Sequence, residues 1–159
     1  MAHEYKATVR WTREDGAPFT DNRYSRGHVW RFDGGTAVPA SCAPSSVPLP
    51  FSRADAVDPE EAFVAALSSC HMLFFLAFAA RRGFVVDLYE DNAVGMMEKD
   101  ERGKLFVSRV TLDPNIRFSG SKTPSVDEIA ELHRRSHEEC YIANSVRTEI
   151  VIAGQPAHA

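Results

Sequence analysis

The feature that most constrains the fold is a run of nineteen uncharged residues, 62–80, in a chain of 159 residues. Its length is close to that of a helix that spans a bilayer. The centre of the run, however, is the polar sequence Ser-Ser-Cys-His at residues 68–71, and unpaired polar groups are costly in lipid. We therefore expect no membrane association, and a helix buried on nearly all sides in a protein core or in a dimer interface.

Capping signals predict where this helix begins and ends. Asp58 suits the N-cap and Pro59 the first helical position, and carboxylates follow in the first turn. At the other end, two arginines precede Gly83, a residue that commonly terminates helices. The sequence therefore predicts one long helix that starts at Pro59 and stops before Gly83.

The rest of the chain alternates strand patterns with one further helix. Ser125 and Glu128 form a capping box that opens the second helix, with Val126, Ile129 and Leu132 as its buried stripe. The remaining segments are expected as strands over 4–12, 23–32, 84–98, 105–118 and 146–152, a long irregular Pro/Ser connection over 36–57, and a loose tail over 154–159. Strands 84–98 and 105–118 form a hairpin. This order predicts a single α+β domain over residues 1–159, with two helices against antiparallel sheet.

Composition excludes several classes of function. The chain holds 18 Lys and Arg against 22 Asp and Glu, for a formal charge of −4, so nucleic acid finds no basic surface to bind. Three scattered cysteines are too few for a secreted disulfide scaffold. The polar N-terminus shows no signal peptide, and a cytoplasmic location is expected.

Two of the cysteines are candidate reactive thiols. Cys70 lies in the middle of the apolar helix, where a lone cysteine is most often a small core residue. Cys140 follows the charged end of the second helix, at a junction where thiols are more accessible. The two can meet only through the fold. Cys42 lies in the Pro/Ser connection, and we expect no role for it.

A reactive Cys70 needs a positive group nearby, because the thiolate is the nucleophile. The helix N-terminus is almost three turns away, so an arginine from another element is required. Arg23, Arg26 and Arg31 fall on the second predicted strand. Glu60, about 2.8 turns before Cys70, lies on nearly the same helix face and can accept such an arginine in a bidentate pair.

The histidines are weaker candidates. His133 and His137 have the i, i+4 spacing of metal ligands, but they lie among charged residues, and we expect 133–135 and 137–139 to be solvated. His71 follows Cys70 in the chain and so points about 100° away from it around the helix.

Two motifs resemble those of the OsmC/Ohr family, named for osmotically inducible protein C and organic hydroperoxide resistance protein. In that family an Asn-Pro-Glu start precedes a reactive cysteine, ten residues after the Glu, on a central buried helix. Glu60 and Cys70 match in identity and spacing, and Asp58 stands in place of the Asn. Residues 140–145, Cys-Tyr-Ile-Ala-Asn-Ser, resemble the second motif, with Tyr141 where the family usually has Pro. The element order matches from about residue 4 to 152.

The resemblance implies a cysteine-based peroxidase that reduces organic hydroperoxides or hydrogen peroxide without haem, metal or flavin cofactor. Cys70 would attack the O–O bond and become a sulfenic acid, and Cys140 would resolve it as a disulfide that an external dithiol, a small molecule or a lipoylated protein, reduces. An arginine, Arg23 or Arg26, held by Glu60, would stabilise the Cys70 thiolate. The family's intertwined homodimers, with each site built from both chains, imply the same assembly here.

Two other functions stay open at this stage. One is an OsmC-fold dimer whose apolar cleft binds a hydrophobic ligand or senses oxidants with little turnover. The other is a metal-binding protein that uses Cys70, Cys140 and histidines.

Overall fold

The computed structural model describes residues 2–154, and the chain divides into two compact units between Ala62 and Phe63. The helix that opens at Pro59 begins in the first unit and continues through the second. The tail expected over residues 154–159 lies outside the described residues apart from Gly154. That residues 1–159 form a single domain stays a prediction.

The first unit contains a three-stranded antiparallel sheet in the order β1-β2-β3. Its strands are β1 (Ala7–Arg10), β2 (His28–Phe32) and β3 (Ala37–Ala40). The first two confirm predicted strands but are shorter. Residues 23–27 precede β2 instead of extending it, because their backbone bonds elsewhere: the Arg26 N–H donates to the Phe51 carbonyl at 2.8 Å.

Strand β3 lies inside the segment expected to be irregular, so that expectation is wrong for Ala37–Ala40. The strand contains Pro39, a residue that central strands exclude. Here the Pro39 carbonyl accepts a hydrogen bond from Val57 N–H at 3.1 Å, on the side away from β2. The N–H that proline lacks would point to that same outer edge, so the pairing with β2 loses nothing.

The long helix α1 spans Pro59–Arg81, as its capping residues predict. The Asp58 carboxylate accepts the Glu61 N–H at 2.8 Å, and the Asp58 N–H donates to the Glu61 carboxylate at 3.2 Å. After the helix, Gly83 has φ +77°, a left-handed conformation that costs other residues strain. Both ends of α1 are therefore fixed by residues within one turn of them.

Helix α1 buries one face, and the expectation of burial on nearly all sides does not hold within the single chain. The buried residues recur at helical spacing: Leu67, His71, Phe75, Phe78 and Ala79. The opposite face is apolar and exposed, with Leu73 at 59% exposure. By length and composition alone α1 could cross a membrane, and among residues 2–154 it is the one helix that meets this test.

The two long strands expected over 84–98 and 105–118 each break in the middle. The first becomes β4 (Val85–Asp91) and β5 (Val94–Lys99), and the second becomes β6 (Leu105–Leu112) and β7 (Pro114–Ser119). Strands β4 and β7 form one antiparallel sheet, and β5 and β6 pair in another. The predicted hairpin therefore exists but is divided between two sheets.

An aspartate at the end of β4 explains where the hairpin breaks. The Asp91 carboxylate accepts the backbone N–H of Asp113 at 2.7 Å, in place of a ladder partner. Its other oxygen accepts the hydroxyl of Ser68 on α1. The residue after Asp113 is Pro114, which has no backbone N–H. Neither residue therefore donates a backbone hydrogen bond to a neighbouring strand, and the hairpin breaks here.

Helix α2 spans Val126–Glu139 and begins with the predicted capping box of Ser125 and Glu128. Of its expected stripe Leu132 is buried, but Val126 is 79% exposed, because it is the first residue of the helix and has no element beneath it. The last strand, β8 (Glu149–Ile152), pairs with β6 in parallel. The sheets are thus not wholly antiparallel, since α2 supplies the crossover that a parallel pair needs.

The second unit buries two apolar clusters on either side of the middle of α1. One gathers around the C-terminal half of α1: Phe75, Phe78, Ala79, Phe84 and Leu132. The other lies under β6 and β8: Leu67, Val110, Leu112 and Ile152. The prediction of an α+β fold is confirmed, and Cys70 lies on α1 between these two clusters.

Candidate active site

Cys70 lies about three turns after the first residue of α1 and is half-buried. Leu67, about one turn before Cys70, is fully buried in the cluster under β6. His71, the residue after Cys70, is also buried. The Cys70 side chain therefore lies at the border of the buried face, where a thiol can be both held and reached.

Cys140 caps the end of α2 and is 1% exposed. Its N–H donates to the His137 carbonyl at 3.3 Å, and its sulfur accepts the N–H of Ala143 at 3.4 Å. The Asn144 side chain donates to the Glu138 carbonyl at 2.8 Å, which closes the turn over the helix end. Cys140 thus lies at the junction after the second helix, as the sequence predicts. Local hydrogen bonds hold its thiol in a closed turn.

The structure brings the two thiols together. Both cysteines are free thiols, and Cys70 lies near enough to Cys140 to act on its pKa although seventy positions separate them. Burial raises the pKa of the Cys140 thiol to about 11, and the neighbouring Cys70 thiol acts in the same direction. Cys140 is therefore a protonated thiol at neutral pH.

An aromatic contact flanks the thiol pair. Phe74 lies one turn after Cys70 on α1, and Tyr141 follows Cys140. The two rings meet edge to face at 5.1 Å, and Tyr141 is 68% exposed. The residue that departs from the family motif thus forms an outer wall next to the cysteines.

His133 is buried, so the expectation that residues 133–135 are all solvated is wrong at this position. It is 3% exposed, and its Nδ1 lies 3.0 Å from Nε2 of His71, which is 1% exposed. The expectation was wrong because it was based on the charged neighbours of His133 in the sequence. Successive helix residues point about 100° apart and so face different surroundings. One signal was present: His133, Ser136 and Cys140 recur at helical spacing and carry no formal charge, and all three are buried.

The two candidate arginines lie in the first unit, in the irregular segment before β2 and not on the strand where they were expected. The Arg26 guanidinium donates to the Asn22 carbonyl at 2.9 Å and to the Asn22 side chain at 2.6 Å, and it stacks on Tyr24 at 3.8 Å. The contact of Arg23 is looser, at 5.9 Å from the ring centre of Phe51.

Arg23 also lines a cleft of about 340 Å³ in the first unit. The aromatic residues of its wall are Trp11, Tyr24 and Phe51. Glu60 is half-buried in the first turn of α1. The part that Arg23, Arg26 or Glu60 plays at Cys70 stays a prediction.

The part of the chain that the structure describes contains no set of metal ligands. Within residues 2–154, no group of three or more His, Cys, Asp and Glu side chains is arranged to hold an ion. Cys42 is half-buried and lies in the first unit, whereas Cys70 and Cys140 lie in the second.

Comparison with known proteins gives the family. The sequence model of the OsmC-like protein family matches residues 52–153. An OsmC-like protein of unknown function from Vibrio cholerae is 51% identical, with a TM-score of 0.93 over 95% of this chain and 98% of that one. No curated protein matches the sequence.

Two organic hydroperoxide resistance proteins share the fold at lower identity. The protein from Elizabethkingia anophelis is 18% identical, with a TM-score of 0.65 over 96% of this chain and 95% of that one. OhrB of Bacillus subtilis is 19% identical, with a TM-score of 0.63 over 94% and 95%. The family match spans well over half of the residues and includes both thiols, and the chain therefore belongs to the OsmC-like protein family.

Proposed function

We propose that this protein is a thiol-dependent peroxidase that reduces organic hydroperoxides, with Cys70 as the attacking and Cys140 as the resolving thiol. The observation that carries the proposal is that two free thiols, one half-buried and one buried, lie near enough in an OsmC-like chain for one to act on the pKa of the other. Solved proteins of the same fold named for organic hydroperoxide resistance support the choice of substrate.

The reaction has three balanced steps. The Cys70 thiolate attacks the terminal oxygen of ROOH, the O–O bond breaks, and the alkoxide takes a proton from water to leave as ROH. Cys140 then attacks the Cys70 sulfenic acid, so that an S–S bond forms while the S–O bond breaks and hydroxide leaves. An external dithiol finally reduces this disulfide and is itself oxidised to a disulfide.

The protonation of Cys140 suits the resolving role. Its pKa of about 11 keeps it a thiol at neutral pH, and a thiol is a poor nucleophile toward peroxide. Cys140 therefore leaves the first attack to Cys70. When Cys140 closes the disulfide, its proton joins the departing hydroxide and leaves as water.

Family resemblance supports an arginine partner for the Cys70 thiolate, with Glu60 holding that arginine. Of the two candidates we favour Arg23, because Asn22 and Tyr24 already engage Arg26.

A homodimer is part of the proposal. The exposed face of α1 is apolar and made mostly of small residues: Ala65, Ala66, Ser69, Leu73, Ala77 and Ala80. A chain that leaves this face in water exposes an apolar surface of a kind that partners usually cover. A second copy that covers it would bury α1 on nearly all sides, and sedimentation of the purified protein tests this directly.

The activity is tested by treating the reduced protein with one equivalent of cumene hydroperoxide, with hydrogen peroxide in parallel, and mapping its cysteines by mass. We expect a Cys70–Cys140 disulfide, faster with the organic peroxide, and its reduction by dihydrolipoamide. Cys70→Ser should abolish peroxide consumption, Cys140→Ser should accumulate the Cys70 sulfenic acid, and Cys42→Ser serves as the unaffected control.

Three results would count against the proposal. Thiols that stay reduced would exclude the peroxidase and favour ligand binding. A disulfide that forms but that no dithiol reduces would indicate an oxidant sensor. A disulfide that includes Cys42 would show that the reacting pair is wrongly assigned.

A further inference from the structure

A buried pair of histidines joins the two helices that carry the thiols. Nε2 of His71 on α1 and Nδ1 of His133 on α2 lie 3.0 Å apart, and the rings stack at 14° with centroids 5.3 Å apart. Phe75 packs on the His133 ring at 4.6 Å. Both histidines are almost fully buried. Buried polar groups of this kind are costly to leave unpaired, so the hydrogen bond constrains how the helices sit.

The pair is joined to each thiol through the helix that carries it. His71 directly follows Cys70, and His133 precedes Cys140 by seven residues, which is about two turns and therefore the same face of α2. Just after α1 ends, Arg82 donates to Glu128 near the start of α2 at 2.6 Å. In both segments the histidine therefore lies, in sequence, between the thiol and the ion pair.

We propose that the His71–His133 hydrogen bond is a positioning device that keeps the Cys70 and Cys140 sulfur atoms within reach of each other and so sets the rate of disulfide closure. Closure is intramolecular, and its rate depends on how often the two sulfur atoms reach bonding geometry. That geometry is narrow, because a disulfide tolerates little variation in spacing and dihedral angle. The histidines act through the thiols and do not touch the peroxide. The inference rests on the proposed function only for the identity of the reacting pair.

Amide substitutions test the geometry of this bond. Glutamine carries its amide nitrogen one atom further from the backbone than asparagine does, so glutamine mimics Nε2 of histidine and asparagine mimics Nδ1. The matched variants are therefore His71→Gln and His133→Asn, and the mismatched ones are His71→Asn and His133→Gln. An amide both donates and accepts, so it pairs with either tautomer of the remaining histidine.

The readout is the first-order rate at which the Cys70 sulfenic acid becomes the Cys70–Cys140 disulfide. Quenched-flow mixing with mass analysis measures this rate. We expect the matched variants to close within about threefold of the native rate and the mismatched variants about tenfold more slowly, the effect of one buried hydrogen bond left unmade. Glutamine should therefore be the faster variant at position 71, and asparagine the faster variant at position 133. If both glutamine variants are faster than both asparagine variants, the sites respond to volume alone and the proposal is wrong.

Two controls separate closure from other steps. In a Cys140→Ser background, oxidation of Cys70 by peroxide should change less than about twofold in all four variants, since a hydrogen bond that only positions the thiols contributes nothing to that step. Arg82→Gln breaks the contact of Arg82 with Glu128 and should leave closure near its native rate. A loss in the first step, or an equal slowing by Arg82→Gln, would overturn the assignment.

The proposal can fail independently of the peroxidase activity. Diamide oxidises two thiols to a disulfide by taking up their two electrons and two protons, with no sulfenic acid on the way. If the native protein ignores peroxide, the proposed function fails, while the rank of the four variants toward diamide still decides whether the histidines position the thiols. Each position carries its own matched and mismatched pair, so a variant that does not fold leaves the comparison at the other position intact.

Discussion

Tyr141 packs edge-on against Phe74, with ring centroids 5.1 Å apart and ring planes at 89°. The contact ties the turn that follows α2 to the α1 residue one turn beyond Cys70. An edge-to-face pair contributes about 0.5–1.5 kcal/mol beyond the area it buries. Its position suggests that it steadies the Cys140 turn against α1.

Replacing the tyrosine tests this contact. Tyr141→Ala should lower the free energy of unfolding by about 1 kcal/mol and loosen the Cys140 turn, measured by urea unfolding and by hydrogen exchange of the Ala143 amide. Tyr141→Phe keeps the ring and is the matched control, with nearly native stability expected. Equal losses in both variants would show that the hydroxyl, and not the ring contact, matters.

The choice between the two arginines can be decided kinetically. Arg23→Met should slow the reaction of Cys70 with cumene hydroperoxide about tenfold, the equivalent of ~1.4 kcal/mol of lost charge stabilisation. Arg26→Met should lower stability instead, because its guanidinium is held by Asn22 and Tyr24. Arg31→Met, an exposed arginine on β2, controls for the loss of positive charge. A larger kinetic effect at Arg26 would reverse the assignment.

The raised pKa of Cys140 predicts how stability depends on alkaline pH. In the unfolded chain this thiol loses its proton near its ordinary pKa of 9.0, whereas in the folded protein it does so only near 11. Its contribution to stability is therefore complete below pH 9 and falls as the pH rises from about 9 to about 11. Urea unfolding across this range should show the decline.

Other groups also titrate above pH 9, so the measurement is a difference between two proteins. Burial raises the pKa of Tyr89, for example, and Asp91 adds to that shift. Cys140→Ser retains Tyr89 and the other two cysteines but has no thiol to ionise at position 140. The stability of the native protein relative to this variant should fall between pH 9 and 11, and a constant difference would contradict the prediction.

Gly95 on β5 marks the closest approach of that strand to α1. A Cβ at this position would lie 2.6 Å from Cγ2 of Val64, well inside contact distance. Gly95→Ala should therefore destabilise the protein by about 1–3 kcal/mol, the usual cost of overpacking. Thermal unfolding measures this loss.

The clash can be relieved from the other side. Val64→Ala combined with Gly95→Ala should recover part of the stability, because the shorter side chain makes room for the new Cβ. Gly34→Ala is the control, since a Cβ there meets nothing within 4 Å. If Gly95→Ala and Gly34→Ala have the same effect, steric contact does not govern the site.

Features that depend on neighbours within a turn were predictable from the sequence. The ends of α1 and the capping box of α2 were correct because a cap is a hydrogen bond between residues three positions apart, such as Asp58 with Glu61. The family, and through it the two cysteines as a candidate pair, followed from motifs of a few residues each.

Features that depend on distant partners were not predictable. The hairpin breaks where Asp91 reaches Ser68 and Asp113, more than twenty residues away in the chain. The outer edge of β3, where Pro39 has no N–H to donate, is paired with Val57, eighteen residues further along the chain.

The two helices, the α+β class and the family could be read from the sequence because hydrophobic periodicity, caps and motifs are local properties. What each helix buries depends instead on residues that are distant in the chain. His133 stands among charged residues in the chain, and yet it is buried because His71, 62 positions earlier, lies opposite it. Cys70 and Cys140 likewise come near each other only through the fold, because seventy positions separate them in the chain.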